Sequence, residues 1–229
     1  MTDLSSRTVL VAGATSESGR AAVQALRDAG ARAIAVGHDP VKLEALAERI
    51  GGDGPQWLTE SCDLTDEQAV FGLAERLHGD GIHIDGVLHL VGGWRGGGGL
   101  AGQTDEDYRF LERSLTALRH VTRAFDDDLN ASDAARLAIV SSTAVARPLA
   151  GGANYATVKA AAEAWTRAVA QGFAKTARDA GRPLCAASVV FRVKALDGLE
   201  QTLADRFVAL WDADAAEVND SVIDLTSGR

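Results

Sequence analysis

The chain has 229 residues, a formal net charge of −9 and 24% charged residues. An excess of acidic over basic residues disfavours binding to nucleic acid or to an anionic membrane through bulk electrostatics. No apolar run approaches the roughly 20 residues that a membrane-spanning helix needs, and residues 1–7 lack the pattern of a secretory signal. These features predict a soluble cytoplasmic protein that binds neither nucleic acid nor membrane.

Short apolar runs alternate with amphipathic segments along the chain. Continuous apolar runs of four to eight residues are typical of strands buried on both faces of a parallel sheet. In chain order, the patterns predict strand 8–12, helix 19–29, strand 33–36, helix 41–50, strand 56–62, helix 63–78, strand 84–91, helix 105–130, strand 137–141, helix 154–180, strand 185–191, helix 199–211 and strand 221–225. This alternation predicts an α/β fold with a Rossmann-type doubly wound parallel sheet, formed by residues 1–229 as a single domain.

Few residues suggest a disulfide or a metal site. Cys62 and Cys185 lie far apart and form no C-x-x-C pair, so neither a disulfide framework nor a zinc site is expected. His83 and His89 lack partners at metal-ligand spacing, so we expect structural roles and no metal. The acidic run 126–128 is interpreted as a solvated helix end.

A glycine-containing loop joins the first strand to the first helix. Glycines allow a tight turn and a close approach of a pyrophosphate to the helix N-terminus. A carboxylate in such a loop repels phosphate unless it is paired, so Glu17 could weaken binding unless Arg20 neutralises it. The predicted dinucleotide contacts in this loop are Gly13, Thr15, Ser16, Glu17, Ser18 and Gly19.

The end of the second strand bears on the choice of cofactor. An acidic residue there would bind the ribose 2′-hydroxyl of NAD. Gly37 and His38 stand there instead, and His38 with Ser16 could hydrogen-bond a 2′-phosphate. NADP(H) is therefore favoured. NAD(H) stays an alternative, because a shift of one residue would place Asp39 near the ribose.

A candidate catalytic group combines a strand end with a helix start. Tyr155 and Lys159 are four residues apart and share one face of the predicted helix, while Ser142 follows a buried strand. A carbonyl that receives a hydride needs a proton, which Tyr155 can supply as general acid. Lys159 together with an oxidised nicotinamide is expected to lower the pKa of Tyr155, and Ser142 can donate a hydrogen bond to the developing oxyanion.

With these motifs, the chain resembles the short-chain dehydrogenase/reductase family over essentially its whole length. The resemblance rests on the spacing of Ser142, Tyr155 and Lys159 and on Gly13 and Gly19. It implies that Lys159 also holds the nicotinamide ribose. It further implies a homodimer or homotetramer that pairs through the long helices.

The resemblance assigns further positions and exposes departures. It implies that Asp63 and Leu64 contact the adenine, that Gly92 is what remains of an Asn-Asn-Ala-Gly segment, and that Ser114 stands where a fourth catalytic residue, Asn, is expected. Residues 191–198 lack the Pro-Gly that usually precedes a lid over the substrate.

The loop after the fourth strand is unusually rich in glycine. Trp94 and Arg95 lie in it, at the expected rim of the active site, and could contact a planar or anionic substrate. Partial disorder of this loop would not be surprising, because glycine-rich segments lose much entropy on ordering.

Together these patterns favour an NAD(P)-dependent oxidoreductase acting on a small-molecule carbonyl or alcohol. The alternative is a non-catalytic sensor or partner protein that binds a dinucleotide on the same fold. Glu17, Ser114 and the missing Pro-Gly favour that alternative, whereas a pure binder has no need of Tyr155 with Ser142. A third hypothesis is another reaction on this scaffold, such as epimerisation or dehydration.

Overall fold

The computed structural model describes residues 2–51 and 57–225, and within them the chain forms seven strands. The strands are β1 (Thr8–Ala12), β2 (Arg32–Gly37), β3 (Trp57–Ser61), β4 (Gly86–His89), β5 (Arg136–Ser142), β6 (Ala187–Val193) and β7 (Val222–Asp224). They form one sheet in the order β3-β2-β1-β4-β5-β6-β7, and every pair of neighbours is parallel. This arrangement confirms the predicted α/β class and the doubly wound sheet. The first residue of the predicted strand 56–62 lies outside the described residues.

Helices connect the strands on both faces of the sheet. They are α1 (Glu17–Asp28), α2 (Pro40–Ile50), α3 (Glu67–Gly79), α4 (Asp105–Ala124), α5 (Asp126–Ala131), α6 (Ala153–Asp179), α7 (Glu200–Val208) and α8 (Ala215–Val218). Among the described helices, none combines the length and apolar character needed to cross a bilayer.

The predicted helix 105–130 was wrong as a single element, because it is divided into α4 and α5 at Phe125. Phe125 leaves the helical backbone region, with φ −111° and ψ 17°, and its side chain is fully buried. The break turns the following helix so that Asp128 is buried. The interpretation of 126–128 as a solvated helix end is therefore wrong for Asp128.

Strand β1 shows why a continuous apolar run predicts this fold. Val9 and Val11 pack into the apolar layer under α1 and α7, while Leu10 and Ala12 pack into the layer under α3 and α4. Alternate residues of a strand point to opposite faces, so a strand covered on both faces must be apolar throughout. Each fully buried valine or leucine contributes about 1.5–3 kcal/mol.

The strand order places the functional region. β1 pairs with β2 on one side and with β4 on the other, so the chain reverses its direction of progress across the sheet at β1. The connection after β1 leads towards β2 and the connection after β4 leads towards β5. The two connections therefore run in opposite directions from the carboxyl ends of these neighbouring strands. Such a point opens a crevice in which doubly wound proteins bind ligands.

Candidate functional site

The glycine loop after β1 is closed so tightly that side chains do not fit at two positions. Gly13 has φ +83°, and a Cβ there would lie 2.9 Å from the amide nitrogen of Val91. A Cβ on Gly19 would lie 2.3 Å from the carbonyl oxygen of Ala14. Ser16 caps α1, because its Oγ accepts a hydrogen bond from the Gly19 amide at 3.0 Å. The loop thus brings the N-terminus of α1 against the end of β4.

Glu17 is turned away from the cleft. Its carboxylate accepts hydrogen bonds from Arg49 Nη1 at 2.8 Å and from Arg20 Nε at 3.0 Å. The hydrogen bonds from Arg49 first, and then from Arg20, lower the pKa of Glu17 to about 2. The residue is not among those lining the cleft, and its role as a cofactor contact stays a prediction. The expected neutralisation by Arg20 is present and is strengthened by Arg49.

Two adjoining cavities form a single cleft along the carboxyl ends of the central strands. The first, of about 560 Å³, is lined by Gly13, Thr15, Ser16, Gly37, His38, Lys42, Cys62, Asp63, Leu64, Thr65, Leu90, Val91, Gly92, Phe110, Arg113 and Ser114. The second, of about 440 Å³, is lined by Ser16, Ser18, His89, Leu90, Val91, Gly92, Gly93, Trp94, Val140, Tyr155, Lys159, Val193, Lys194, Ala195, Leu196 and Asp197. Ser16 and residues 90–92 belong to both. Apart from Glu17 and Gly19, every predicted cofactor contact lines this cleft.

The end of β2 and the start of α2 present a histidine and a lysine to the first cavity. His38 and Lys42 line it, whereas Asp39 does not. Asp39 caps α2 by accepting hydrogen bonds from the amides of Val41 and Lys42, at 3.1 and 3.2 Å. Sequence reasoning missed Lys42, although its place in the first turn of α2 was a signal that could have found it.

Asp63 lies at the far end of the same cavity. Its Oδ1 accepts hydrogen bonds from the Thr65 hydroxyl at 2.7 Å and from the Thr65 amide at 2.9 Å. These hydrogen bonds lower the pKa of Asp63, and the charges of Arg113 and His38 lower it further. Arg113, on α4, was also missed by the sequence analysis, because nothing in the local pattern links that helix to this loop.

The structure brings Ser142, Tyr155 and Lys159 together. Ser142 ends β5, and its hydroxyl lies close enough to Tyr155, in the first turn of α6, to lower the pKa of that phenol. Lys159 Nζ lies 5.8 Å from the centre of the Tyr155 ring and donates a hydrogen bond to the carbonyl of Val140 at 2.7 Å. The strand end and the helix start thus bring Ser142 near Tyr155 and Lys159, and of the three groups Tyr155 and Lys159 line the second cavity.

The two titratable groups at this cavity are shifted by burial. Burial raises the pKa of Tyr155, and the hydrogen bond with Ser142 offsets part of that rise. Burial lowers the pKa of Lys159 to about 8, against the opposing effect of the Glu163 carboxylate. The expected lowering of the Tyr155 pKa by Lys159 is therefore not found in the protein alone, because the ammonium group is directed at Val140.

An ion-pair network lies beside this group, one helical turn beyond Lys159. Glu163 is buried and accepts hydrogen bonds from Ser141 Oγ at 2.6 Å and from Arg192 at 2.9 and 2.5 Å. Arg192 belongs to β6, which ends at Val193 rather than at 191 and pairs there with Ser142. The segment that lacks Pro-Gly therefore continues the sheet, and residues 193–197 form one wall of the second cavity.

Ser114, the expected fourth catalytic residue, lies on α4, and this role stays a prediction. It lines the first cavity, and its hydroxyl donates to the carbonyl of Leu111 in its own helix at 2.7 Å. Its own carbonyl oxygen lies 3.0 Å from His89 Nε2. His89 is buried and lines the second cavity, and burial lowers its pKa to about 4, so the imidazole is neutral. Sequence reasoning assigned His89 only a structural role.

The glycine-rich loop after β4 places its two candidate residues differently. Trp94 lines the second cavity and is 62% exposed. Arg95 donates to the Trp94 carbonyl at 3.0 Å, and its guanidinium lies 3.9 Å from the centre of the Phe110 ring. Arg95 is not among the residues that line either cavity, so the structure assigns it to packing on α4.

Comparisons with known proteins agree with this arrangement. A family model for short chain dehydrogenases matches residues 7–177. A protein proposed to be a daunorubicin C-13 ketoreductase, from Streptomyces sp. (strain C5), is 37% identical over 91 residues, which are 39% of this chain and 32% of that protein. The match thus spans about a third of the length of this relative.

Solved structures resemble the whole chain. A protein from Pseudomonas syringae, proposed to be a short chain dehydrogenase, has a TM-score of 0.83 at 21% identity and covers 96% of this chain and 94% of its own. A similarly described protein from Shigella flexneri 2a strain 301, complexed with NADP, has a TM-score of 0.82 at 21% identity. The match covers 97% of this chain and 98% of that protein. At these identities the likeness shows the fold alone. Because the family model matches most of the residues of this chain, the chain belongs to the short-chain dehydrogenase family of oxidoreductases.

Proposed function

We propose that the protein is an NADP(H)-dependent oxidoreductase that interconverts a carbonyl and an alcohol. The observation that carries this proposal is that Tyr155 and Lys159, with Ser142 beside Tyr155, stand at a cavity that adjoins the glycine-loop cavity. A redox enzyme of this kind needs a proton donor next to the carbonyl that accepts the hydride. The second cavity offers a place for the carbonyl, with Tyr155 in its wall as the donor.

The shape and chemistry of the cleft fit an extended dinucleotide. Its two cavities join at the glycine loop, where the N-terminus of α1 favours a pyrophosphate. The first cavity then holds the adenosine between His38 and Asp63, and the second holds the nicotinamide near Lys159. No carboxylate lies at the end of β2 within the lining of the described cavity, whereas His38 and Lys42 could bind a 2′-phosphate. The NADP complex of the Shigella flexneri protein is consistent with this preference.

The residues of the chain would act on the substrate oxygen. When bound, a nicotinamide supplies a hydride for the carbonyl carbon. Tyr155 holds a proton at neutral pH, because burial raises its pKa, and donates it to the carbonyl oxygen. Ser142 orients that oxygen through its hydroxyl, and Lys159 supplies a positive charge that stabilises the resulting phenolate.

The walls of the second cavity suggest a substrate with an apolar, planar portion. Trp94, Val193 and Leu196 line it together with Tyr155. An exposed indole presents a flat apolar surface at low entropic cost. The relative from Streptomyces carries the name of a ketoreductase for daunorubicin, which supports a ketone substrate. We infer that Trp94 contacts the substrate and that the carbonyl points at Tyr155.

We also infer that the chain forms one domain and assembles as a homodimer or homotetramer through α4 and α6. The two helices pack against each other through Trp165, whose Nε1 donates to Thr122 Oγ1 at 2.9 Å, and Ala160 on α6 is exposed. Light scattering coupled to size exclusion measures the assembly directly, and a monomer would contradict this inference.

Replacing Lys42 by alanine is expected to weaken NADPH binding about tenfold while leaving NADH binding unchanged. A tenfold loss corresponds to about 1.4 kcal/mol, an ordinary contribution for one charged contact to phosphate. Titration with each nucleotide, followed by nicotinamide fluorescence, gives both affinities. Lys175→Ala, an exposed lysine outside the cleft, is the matched control. Equal losses for NADPH and NADH would contradict the assignment of Lys42 to the 2′-phosphate, and binding of neither nucleotide by wild type would contradict the proposed function.

The rate of carbonyl reduction is expected to fall about tenfold per pH unit above pH 8. The pKa of Lys159 is about 8, so its ammonium form predominates below that pH and is lost above it. Tyr155 stays protonated over this range because its pKa is raised. Measurement of kcat/KM from pH 6 to 10, with thermal stability followed in parallel, tests this. A rate that stays constant to pH 10 would show that the Lys159 charge is not needed.

A further inference from the structure

Three metal-binding side chains meet at the end of the sheet opposite the cleft. His78 lies in the last turn of α3, His83 lies in the connection to β4, and Asp128 lies in α5. The connection enters β4 at its amino end, whereas the cleft lies at the carboxyl end of that strand. The sequence analysis found no partners for His83, because the other two residues come together only in the folded chain.

The Asp128 carboxylate is the centre of this cluster. Its side chain is only 6% exposed, and Oδ2 accepts a hydrogen bond from the Ile84 amide at 2.9 Å. His78 Nε2 lies 3.0 Å from Oδ2, and His83 Nδ1 lies 3.2 Å from Oδ1. The two imidazole rings stack, with centroids 5.2 Å apart and an interplanar angle of 28°. A fixed carboxylate thus holds two imidazole nitrogens on one side of itself.

This geometry is close to that of a divalent cation site. One ligand atom from each of the three residues lies within 4.8 Å of the other two. Ligands about 2.0–2.1 Å from a tetrahedral zinc ion lie roughly 3.3 Å from one another, so only small rotations are needed. The two imidazoles can make them, because His78 is 37% and His83 is 73% exposed.

We propose that His78, His83 and Asp128 form a binding site for a borderline divalent cation such as Zn²⁺. Two imidazoles and one carboxylate suit zinc better than magnesium or calcium, which prefer sites made of oxygen ligands. Three protein ligands leave a fourth position for water. The ion would take the place between the imidazole nitrogens and the carboxylate, in contact with an unprotonated nitrogen of each ring.

The bound ion would tie together three elements that are distant in sequence. It would join the end of α3, the entry to β4 and α5, and would therefore stabilise the folded chain as its concentration exceeds the dissociation constant. The site lies away from Tyr155 and the glycine loop, so its effect is on stability rather than on the chemical step. The proposal is independent of the proposed redox function.

Titration of the untagged full chain with ZnCl₂ in a calorimeter tests the site. The expected result is one ion per chain with a dissociation constant in the micromolar range, and a rise in Tm on adding zinc. Addition of Co²⁺ should give the visible absorption of a tetrahedral complex. Wild type that binds no zinc, or that binds it without a rise in Tm, would overturn the proposal.

Two histidine variants locate the ion. His83→Ala, at a side chain that is 73% exposed, is expected to bind zinc at least tenfold more weakly. His38→Ala, the matched control outside the cluster, should bind it as wild type does. If both variants bind as wild type does, or both lose binding equally, the ion lies elsewhere and the proposal fails. Catalytic rates of His83→Ala should equal those of wild type.

Discussion

Tyr155→Phe is expected to lower kcat for carbonyl reduction by about 10²–10⁴-fold and to leave NADPH affinity within about twofold. The substitution removes the hydroxyl that lies near Ser142 and keeps the ring beside Lys159. Loss of a group that acts only in the transition state lowers kcat and kcat/KM together. The measurements are single-turnover and steady-state rates with a panel of aromatic ketones, alongside nucleotide titration.

The chain contains a matched control for this experiment, because it has only two tyrosines. Tyr108 lies in the first turn of α4 and is 39% exposed. Tyr108→Phe should keep wild-type rates and affinity. If Tyr155→Phe retains full activity, another group donates the proton. If wild type binds NADPH but reduces no carbonyl in the panel, the alternative of a non-catalytic dinucleotide sensor is the better account.

Local sequence determined most of the fold because the local pattern and the three-dimensional environment agree. The run 8–12 is apolar at every position since β1 is covered on both faces. Gly13 and Gly19 were recognisable because a Cβ at either would meet backbone atoms. The break at Phe125 was missed, since no proline or glycine marks the residue at which α4 ends.

The parts of the site that sequence could not predict depend on contacts between distant elements. Arg49 on α2 pairs with Glu17 on α1, and Arg192 on β6 pairs with Glu163 on α6. Neither spacing is periodic, so neither pair leaves a local pattern. The same holds for Asp128, whose acidic neighbours suggested a solvated position although its own side chain is buried.

Gly19→Ala is expected to lower the free energy of unfolding by about 1–3 kcal/mol and to weaken NADPH binding at least tenfold. The new Cβ would lie 2.3 Å from the Ala14 carbonyl oxygen and 2.5 Å from its Cα, and neither backbone atom can rotate away as a side chain could. The glycine loop must therefore open, which moves the N-terminus of α1 away from the place of the pyrophosphate. For a chain of this size, the loss corresponds to a fall in Tm of about 2–12 °C.

Gly72→Ala separates this strain from the general effect of adding a methyl group to a helix. Gly72 lies inside α3, where a Cβ would meet only the end of the Arg76 side chain at 3.8 Å. Alanine is the better helix former, so this variant should be more stable than wild type by about 0.5–1 kcal/mol, with unchanged NADPH binding. If Gly19→Ala behaves like Gly72→Ala in denaturant unfolding and in nucleotide titration, the glycine loop can accommodate the methyl group without losing stability or NADPH affinity. The close approach at Gly19 would then not be what positions α1 for the cofactor.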